Sequence, residues 1–305
     1  MTASFPLQKT PPSVLKLVMQ NLEIIDILSL SLTSTKTSMA LVPVNHPIHA
    51  LYVRISRGIL DLEIYSRHRD LKATCTPERI GTSELSFTSL RTGPQLWNFT
   101  KTNLRSWLLD VLRILNYSGI DCFFFSNGTD NLGKDAVELL NGIKIKCLNS
   151  ANLLVARMLQ KNTDSLRWGL GRHPKQEFLI QNMTSFSDQR AFDTKITIND
   201  LLVSNIRFIY LNQMYFPLRE YNRFLKCWIR GGTSNLEFLK VQRAMNFEQW
   251  YGITMDENNF EERLFKGIPH IKIETSGRFE IRKKNGQRAM IEFKPRSFTM
   301  IVPRN

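Results

Sequence analysis

Apolar residues recur along this chain with two spacings, and the switch between them marks its expected elements. Near the N-terminus Leu15, Val18, Met19 and Leu22 fall at helical spacing, and a second apolar set follows at Ile24, Ile27, Leu28 and Leu32. Pro11 and Pro12 suit the first turn of the first helix, where no intrahelical N–H is needed. Ser34 or Thr35 is placed to cap a third helix carrying Met39 and Leu41. Three helices in so short a stretch cannot bury these side chains among themselves, so part of their apolar surface must meet another surface.

Downstream the pattern becomes strand-like and then repeats. Ser204-Asn205-Ile206-Arg207-Phe208-Ile209 and Ser234-Asn235-Leu236-Glu237-Phe238-Leu239 match at a period of 30 residues. Phe178-Leu179 falls in the same register one period earlier. Ile143 to Leu148 and Ile120 to Phe125 have strand composition at similar intervals, and Ile59 to Tyr65 reads as an earlier copy. Helical patterns lie between them, at Leu153 to Lys161, at Asp135 to Leu140 and, most regularly, at Leu218 to Arg230. In the last, Leu218, Tyr221, Asn222, Leu225, Trp228 and Ile229 share one side, and Gly231 stands where a C-terminal cap takes the left-handed conformation. A strand and a helix every 30 residues or so follow the logic of a solenoid whose units bury their faces by stacking.

The C-terminal stretch has a different texture. Phe279, Ile281, Ala289, Ile291 and Phe293 alternate around Lys284-Asn285-Gly286. Pairing Phe279 with Ile291 and Ile281 with Ala289 requires a three-residue loop with Gly286 left-handed. Ser297 to Val302 is expected as a third strand, completing a meander that covers the open edge of the preceding sheet.

Charge and candidate chemistry narrow the function classes. The net charge is +14 over 305 residues. From Arg263 onward eleven Lys and Arg face three Asp and Glu, a net +8, with Arg278, Arg282, Lys284, Arg288 and Lys294 on the polar face of the meander. Cys75, Cys122, Cys147 and Cys227 lie far apart and form no CxxC. Reduced thiols and an intracellular location, cytoplasmic or nuclear, are therefore expected. The N-terminus has no signal-peptide pattern, and no apolar run approaches the roughly 18–20 residues that span a bilayer. Gly128 to Asp135 nearly matches a phosphate-binding loop. The position of the magnesium-holding hydroxyl is Asp135, however, whose negative charge opposes phosphate, and the bland reading is a turn followed by a helix from Asp130 or Asn131. His46, His49, His68, His173 and His270 show no metal spacing. The reading is of a non-enzyme, with no catalytic residue, metal or cofactor.

Two resemblances give these elements an identity. Phe5-Pro6-Leu7, Pro11, Val14-Leu15, Val18, Leu22, Ile27-Leu28, Leu30 and Ser34-Thr35-Lys36 resemble the F-box of nematode F-box families. The resemblance implies a three-helix module that docks on a Skp-type adaptor of a cullin ubiquitin ligase, with Pro11, Leu15, Leu22, Ile25 and Leu28 contributing to the adaptor-facing surface. Many F-boxes carry Pro where this chain has Ile25. Ile198 to Leu202, Tyr221-Asn222-Arg223-Phe224-Leu225-Lys226-Cys227-Trp228-Ile229-Arg230-Gly231 and Leu236 to Leu239 are similar to the type 2 F-box-associated domain of the same family. That similarity implies recruitment of a protein substrate. Taken alone, Phe224, Leu225 and Trp228 read as core residues.

The expected fold is thus α/β: a three-helix F-box over 1–45, a leucine-rich-repeat-like strand–helix solenoid over 46–262, clearest at 198–241, and a basic antiparallel β-meander over 263–305. The expected function is a substrate-recognition adaptor that joins an unknown target protein to the Skp-type adaptor and, through it, to the cullin ligase, with no membrane partner. Two alternatives are ranked below it. One is nucleic-acid binding by the basic C-terminal strands with Phe279, Phe293 and Phe298; the other is a repeat scaffold whose F-box is degenerate.

Overall fold

The computed structural model describes residues 48–56, 59–66, 104–126, 130–150, 152–168, 178–179, 181–188, 196–212, 214, 216–233, 235–242, 264–269, 271–275, 277–294, 297–304 and scattered positions between 11 and 28. Residues 70–77, 83–89 and 93–99 are described by their backbone alone. The chain divides into two compact units, Met1–Leu148 and Asn149–Asn305.

The first unit is built on antiparallel pairing. Strands β1 (Ile48–Ser56), β2 (Ile59–Ser66), β3 (Asp70–Pro77), β4 (Ser83–Ser89) and β5 (Gly93–Phe99) follow one another as neighbours. Strict alternation in β1 and β2 sets the register. Leu51, Val53 and Ile55 lie opposite Ile64, Leu62 and Leu60, and all six are buried. Strand β6 (Gly119–Ser126) then joins the other edge of β1 in parallel, and β7 (Lys144–Ser150) flanks β6. Helices α1 (Leu104–Ile114) and α2 (Asp130–Leu140) bury Trp107, Leu108, Val111, Ala136 and Leu140. Arg105 of α1 donates to the carbonyls of Glu138 (2.9 Å), Leu139 (3.0 Å) and Asn141 (2.6 Å), placing a cation on the negative end of α2.

The second unit begins in parallel and ends antiparallel. Helix α3 (Leu153–Leu159), capped by Asn152, leads through a short 3-10 turn into β8 (Thr163–Trp168). Strands β9 (Ser185–Asp188), β10 (Phe208–Leu211) and β11 (Phe238–Gln242) add in parallel, separated by α4 (Ile198–Leu202) and α5 (Leu218–Ile229). Helix α4 starts in a capping box between Thr197 and Asp200. The meander β12 (Lys272–Thr275), β13 (Arg278–Arg282), β14 (Arg288–Lys294) and β15 (Ser297–Ile301) continues the sheet through antiparallel pairing of β15 with β11. Its hairpin has the expected register, Phe279 opposite Ile291 and Ile281 opposite Ala289, and Gly286 has φ +86°. Gly231 has φ +102° at the end of α5.

The solenoid expectation is overturned. A solenoid needs a constant repeat length, yet the aligned positions Leu166, Phe186, Ile209 and Leu239 are 20, 23 and 30 residues apart. The 30-residue match describes one pair of neighbouring strands, β10 and β11. Phe178 and Leu179 are buried in a short turn, with the Phe178 ring 5.6 Å from Trp168. Ile59 to Tyr65 is an antiparallel hairpin strand and no repeat copy. The chain is a sheet-dominated mixed α/β protein. The three-helix N-terminal module is likewise absent among the described residues, where 13–14, 17–18, 24 and 26–28 alone are helical before β1. The expected third helix from Ser34 or Thr35 lies outside them.

Candidate functional site

The sequence similar to the F-box-associated domain folds into the covered side of the second unit. On α5, Tyr221, Phe224, Leu225 and Trp228 are each no more than 1% exposed, as a core reading requires. The Tyr221 ring lies 4.5 Å from Phe298, 5.7 Å from Phe216 and 5.8 Å from Phe293. Asn222 donates from Nδ2 to the carbonyls of Leu264 (2.7 Å) and Lys266 (3.1 Å), and Phe265 packs 4.5 Å from Phe279. Lys283 sits with its Nζ 4.6 Å from the centre of the Trp228 ring, and burial pushes its amine below the ordinary lysine range. These residues are the clamp that joins helix, 264–268 segment and meander to the sheet.

The opposite face of the same sheet is the candidate site. Because side chains alternate along each strand, burying Leu166, Phe186, Ile209, Leu239 and Met300 turns their neighbours outward. Two rows result. One runs Ser165, Ser185, Phe208, Phe238, Ile301; the other runs Arg167, Ser187, Tyr210, Lys240, Thr299. Tyr210 is 40% and Ile301 47% exposed. The Tyr210 and Phe238 rings lean together at 4.9 Å, and the Arg207 guanidinium lies 5.4 Å from the Phe208 ring. Arg207 (2.6 Å) and Arg304 (3.0 Å) both bind Oε1 of Glu237. Sequence reasoning recognised β10 and β11 but missed their outward residues. The signal was there in two short apolar strands that each begin on an aromatic residue at the same parity.

On the basic polar face of the meander four cations share two carboxylates, which offset half of their charge. Arg282 (2.7 Å) and Arg288 (3.9 Å) pair with Glu280, and Arg278 (2.9 Å) and Lys294 (3.0 Å) pair with Glu292. These cations hold both carboxyls below the usual range, Arg282 leading at Glu280 and Lys294 at Glu292.

In the first unit one polar cluster stands out. Asp121 accepts from Lys146 (2.6 Å), Tyr117 (2.6 Å) and the Leu51 N–H (2.8 Å). Burial pushes the Asp121 carboxyl up, but those three hydrogen bonds outweigh it and hold it below its ordinary value. Asp121 in turn raises the Lys146 amine. The carboxylate is thus fully engaged, and the cluster is a tie between β1, β6 and β7.

Three of the five expected adaptor-facing residues lie among those the structure describes. Pro11 is exposed, Leu22 half-buried and Leu28 buried at 1% exposure, while Leu15 and Ile25 lie outside the described residues. The near-match to a phosphate loop places Lys134 and Asp135 on exposed positions of α2, which starts at Asp130. Among the described residues no His, Cys, Asp and Glu cluster could hold a metal, and no helix is long and apolar enough to cross a membrane. Cys122 is buried, and Cys147 and Cys227 are half-buried.

The family described as F-box associated matches residues 175–241, about a fifth of the chain. The match runs through β9, α4, β10, α5 and β11, the elements that carry both the clamp and the middle of the open face. No curated protein and no solved structure matches the chain.

Proposed function

We propose that this chain is the substrate-recognition subunit of a cullin-type ubiquitin ligase, docking on a Skp-type adaptor through its N-terminal segment and holding a target protein on the second unit. The observation that carries the reading is the F-box-associated match over 175–241. It supports a role in substrate recognition, and the N-terminal string from Phe5 to Lys36, which resembles an F-box, supplies the docking half. The second unit suits such a role physically. Its covered face is a buried aromatic core that anchors the strands from which the open face projects.

The test is co-purification of the full chain with a Skp-type adaptor. Binding is expected for the wild type and is expected to be lost in Leu15→Asp, with the far-ultraviolet spectrum and melting temperature unchanged. A well-folded wild-type chain that binds no such adaptor overturns the reading and leaves a scaffold with a degenerate F-box.

A further inference from the structure

The open face of the second unit has a shape and a charge that select a chemical class of target. This inference rests on the substrate-recognition reading above. On β8 and β9 the outward residues include Ser165, Ser185 and Ser187, all small, with the first two hydroxyls hydrogen-bonded to each other. On β10 and β11 they include Phe208, Tyr210 and Phe238, all large. Adjacent strands lie about 4.8 Å apart. The face is therefore a low, neutral serine floor beside an aromatic wall, wide enough for an extended segment to lie on.

Charge then sets the sign. Arg167 is exposed beside Ser187, and Lys240 lies beside Tyr210 on the next strand. Neither has an ion-pair partner among the described residues, in contrast to Arg207 and Arg304, which share Glu237. These two cations flank the floor and the wall from opposite sides. An occupant that carries carboxylates gains both of them, whereas a basic one meets repulsion on both sides.

The same details favour a protein segment over a nucleic acid. Stacking of bases needs open ring faces. Here Tyr210 and Phe238 lean on each other, and Arg207 already lies against Phe208. A phosphate chain needs a track of free cations, whereas Arg278, Arg282, Arg288 and Lys294 of the meander share Glu280 and Glu292, which offset half of their charge. Exposed Ile301, next to Phe238, extends the wall with aliphatic surface that suits an apolar side chain.

We propose that the open face binds its target through an extended acidic segment bearing one large apolar side chain, which packs against the Phe208–Tyr210–Phe238 wall while its carboxylates meet Arg167 and Lys240.

The experiment pans a random dodecapeptide display library against the full chain and then measures the affinity of the best synthetic peptide. The wild type is expected to enrich Asp and Glu around one aromatic or aliphatic position. Arg167→Glu with Lys240→Glu is expected to weaken the selected peptide about tenfold or more, and Tyr210→Ser to relax the apolar preference. Arg167→Gln with Lys240→Gln gives the same direction with less strain on folding. A selected pool without acidic bias, affinities that agree within about twofold between wild type and the glutamine variant, or tighter binding of a single-stranded oligonucleotide than of the peptide overturns the proposal. Adaptor co-purification separates the two readings. If it survives while the peptide results fail, the target chemistry falls alone; if it fails while acidic peptides still select, the ligase reading falls and the surface stands.

Discussion

The two faces of the second unit's sheet are made from alternate residues of the same strands, yet they answer to different demands. On the covered face Ile209, Leu211, Leu239 and Val241 are buried on the side of α5, whose Trp228 and Tyr221 are sealed from water. On the open face Phe208, Tyr210 and Phe238 stand one residue away and remain partly exposed. The difference separates stability from recognition by a single step along the chain. Trp228→Ala should cost about 3–5 kcal/mol, because a large buried ring leaves a cavity. Tyr210→Ser should cost only about 0.5–1 kcal/mol, the worth of one cross-strand ring pair. Urea denaturation of the two variants measures both, and equal costs would break the distinction between the faces.

The covered face also depends on polar fastening, which the next largest effect isolates. Asn222 joins α5 to the carbonyls of Leu264 and Lys266. Asn222→Ala should cost about 1–2 kcal/mol, towards the low end for an orphaned acceptor, since the bond to Lys266 lies where water reaches it. Asn222→Asp keeps the shape and removes the donor. It should cost at least as much as the alanine variant, because its carboxylate faces two carbonyl oxygens; a thermal melt showing no loss would assign the fastening to packing instead.

How far the sequence revealed this arrangement follows from which interactions are local. The 279–291 hairpin was legible because alternation and Gly286 fix register within a short stretch of chain. Helix α5 and its Gly231 terminus were legible for the same reason. The solenoid was a misreading of one true fact, the 30-residue offset between Phe208 and Phe238, because parallel strands can be neighbours without the rest of the chain repeating. The antiparallel pairing of β1 to β5 has no signature that separates it from strands of a solenoid, since apolar strands look alike whichever neighbour they choose. The open face was hidden because parity tells which residues share a side, whereas which side is covered depends on helices distant in the chain. The aromatic strand starts at Phe208 and Phe238 were therefore visible without their role.

The first unit offers a control in which a charged group is fully paired. Asp121 has a folded pKa below its unfolded one, so its contribution is present above the unfolded carboxylate range and is lost as pH falls through the folded value. Asp121→Asn should remove about 1 kcal/mol at neutral pH, the net worth of a hydrogen-bonded tie. The variant's stability should then fall less steeply than the wild type's below the ordinary carboxylate range. Melting temperatures measured across that acid limb check both points, and parallel curves would show that the network does not couple to folding.

The smallest effect sharpens the comparison within a single strand. In β14 Ile291 is buried at 1% exposure, and the next residue, Glu292, faces outward between Arg278 and Lys294. Ile291→Ala should cost about 2–5 kcal/mol through lost burial. Glu292→Gln should cost no more than about 0.5 kcal/mol, because both cations are more than half exposed and water screens the pairs. The small loss should also shrink as salt rises, whereas the Ile291 loss should not. Neutralising Glu292 releases two cations without touching the serine floor. It should therefore raise non-specific oligonucleotide binding at low salt while leaving the acidic-peptide affinity unchanged. If peptide affinity rises as well, the meander's charges and the open face act as one field, and recognition cannot be confined to Arg167 and Lys240.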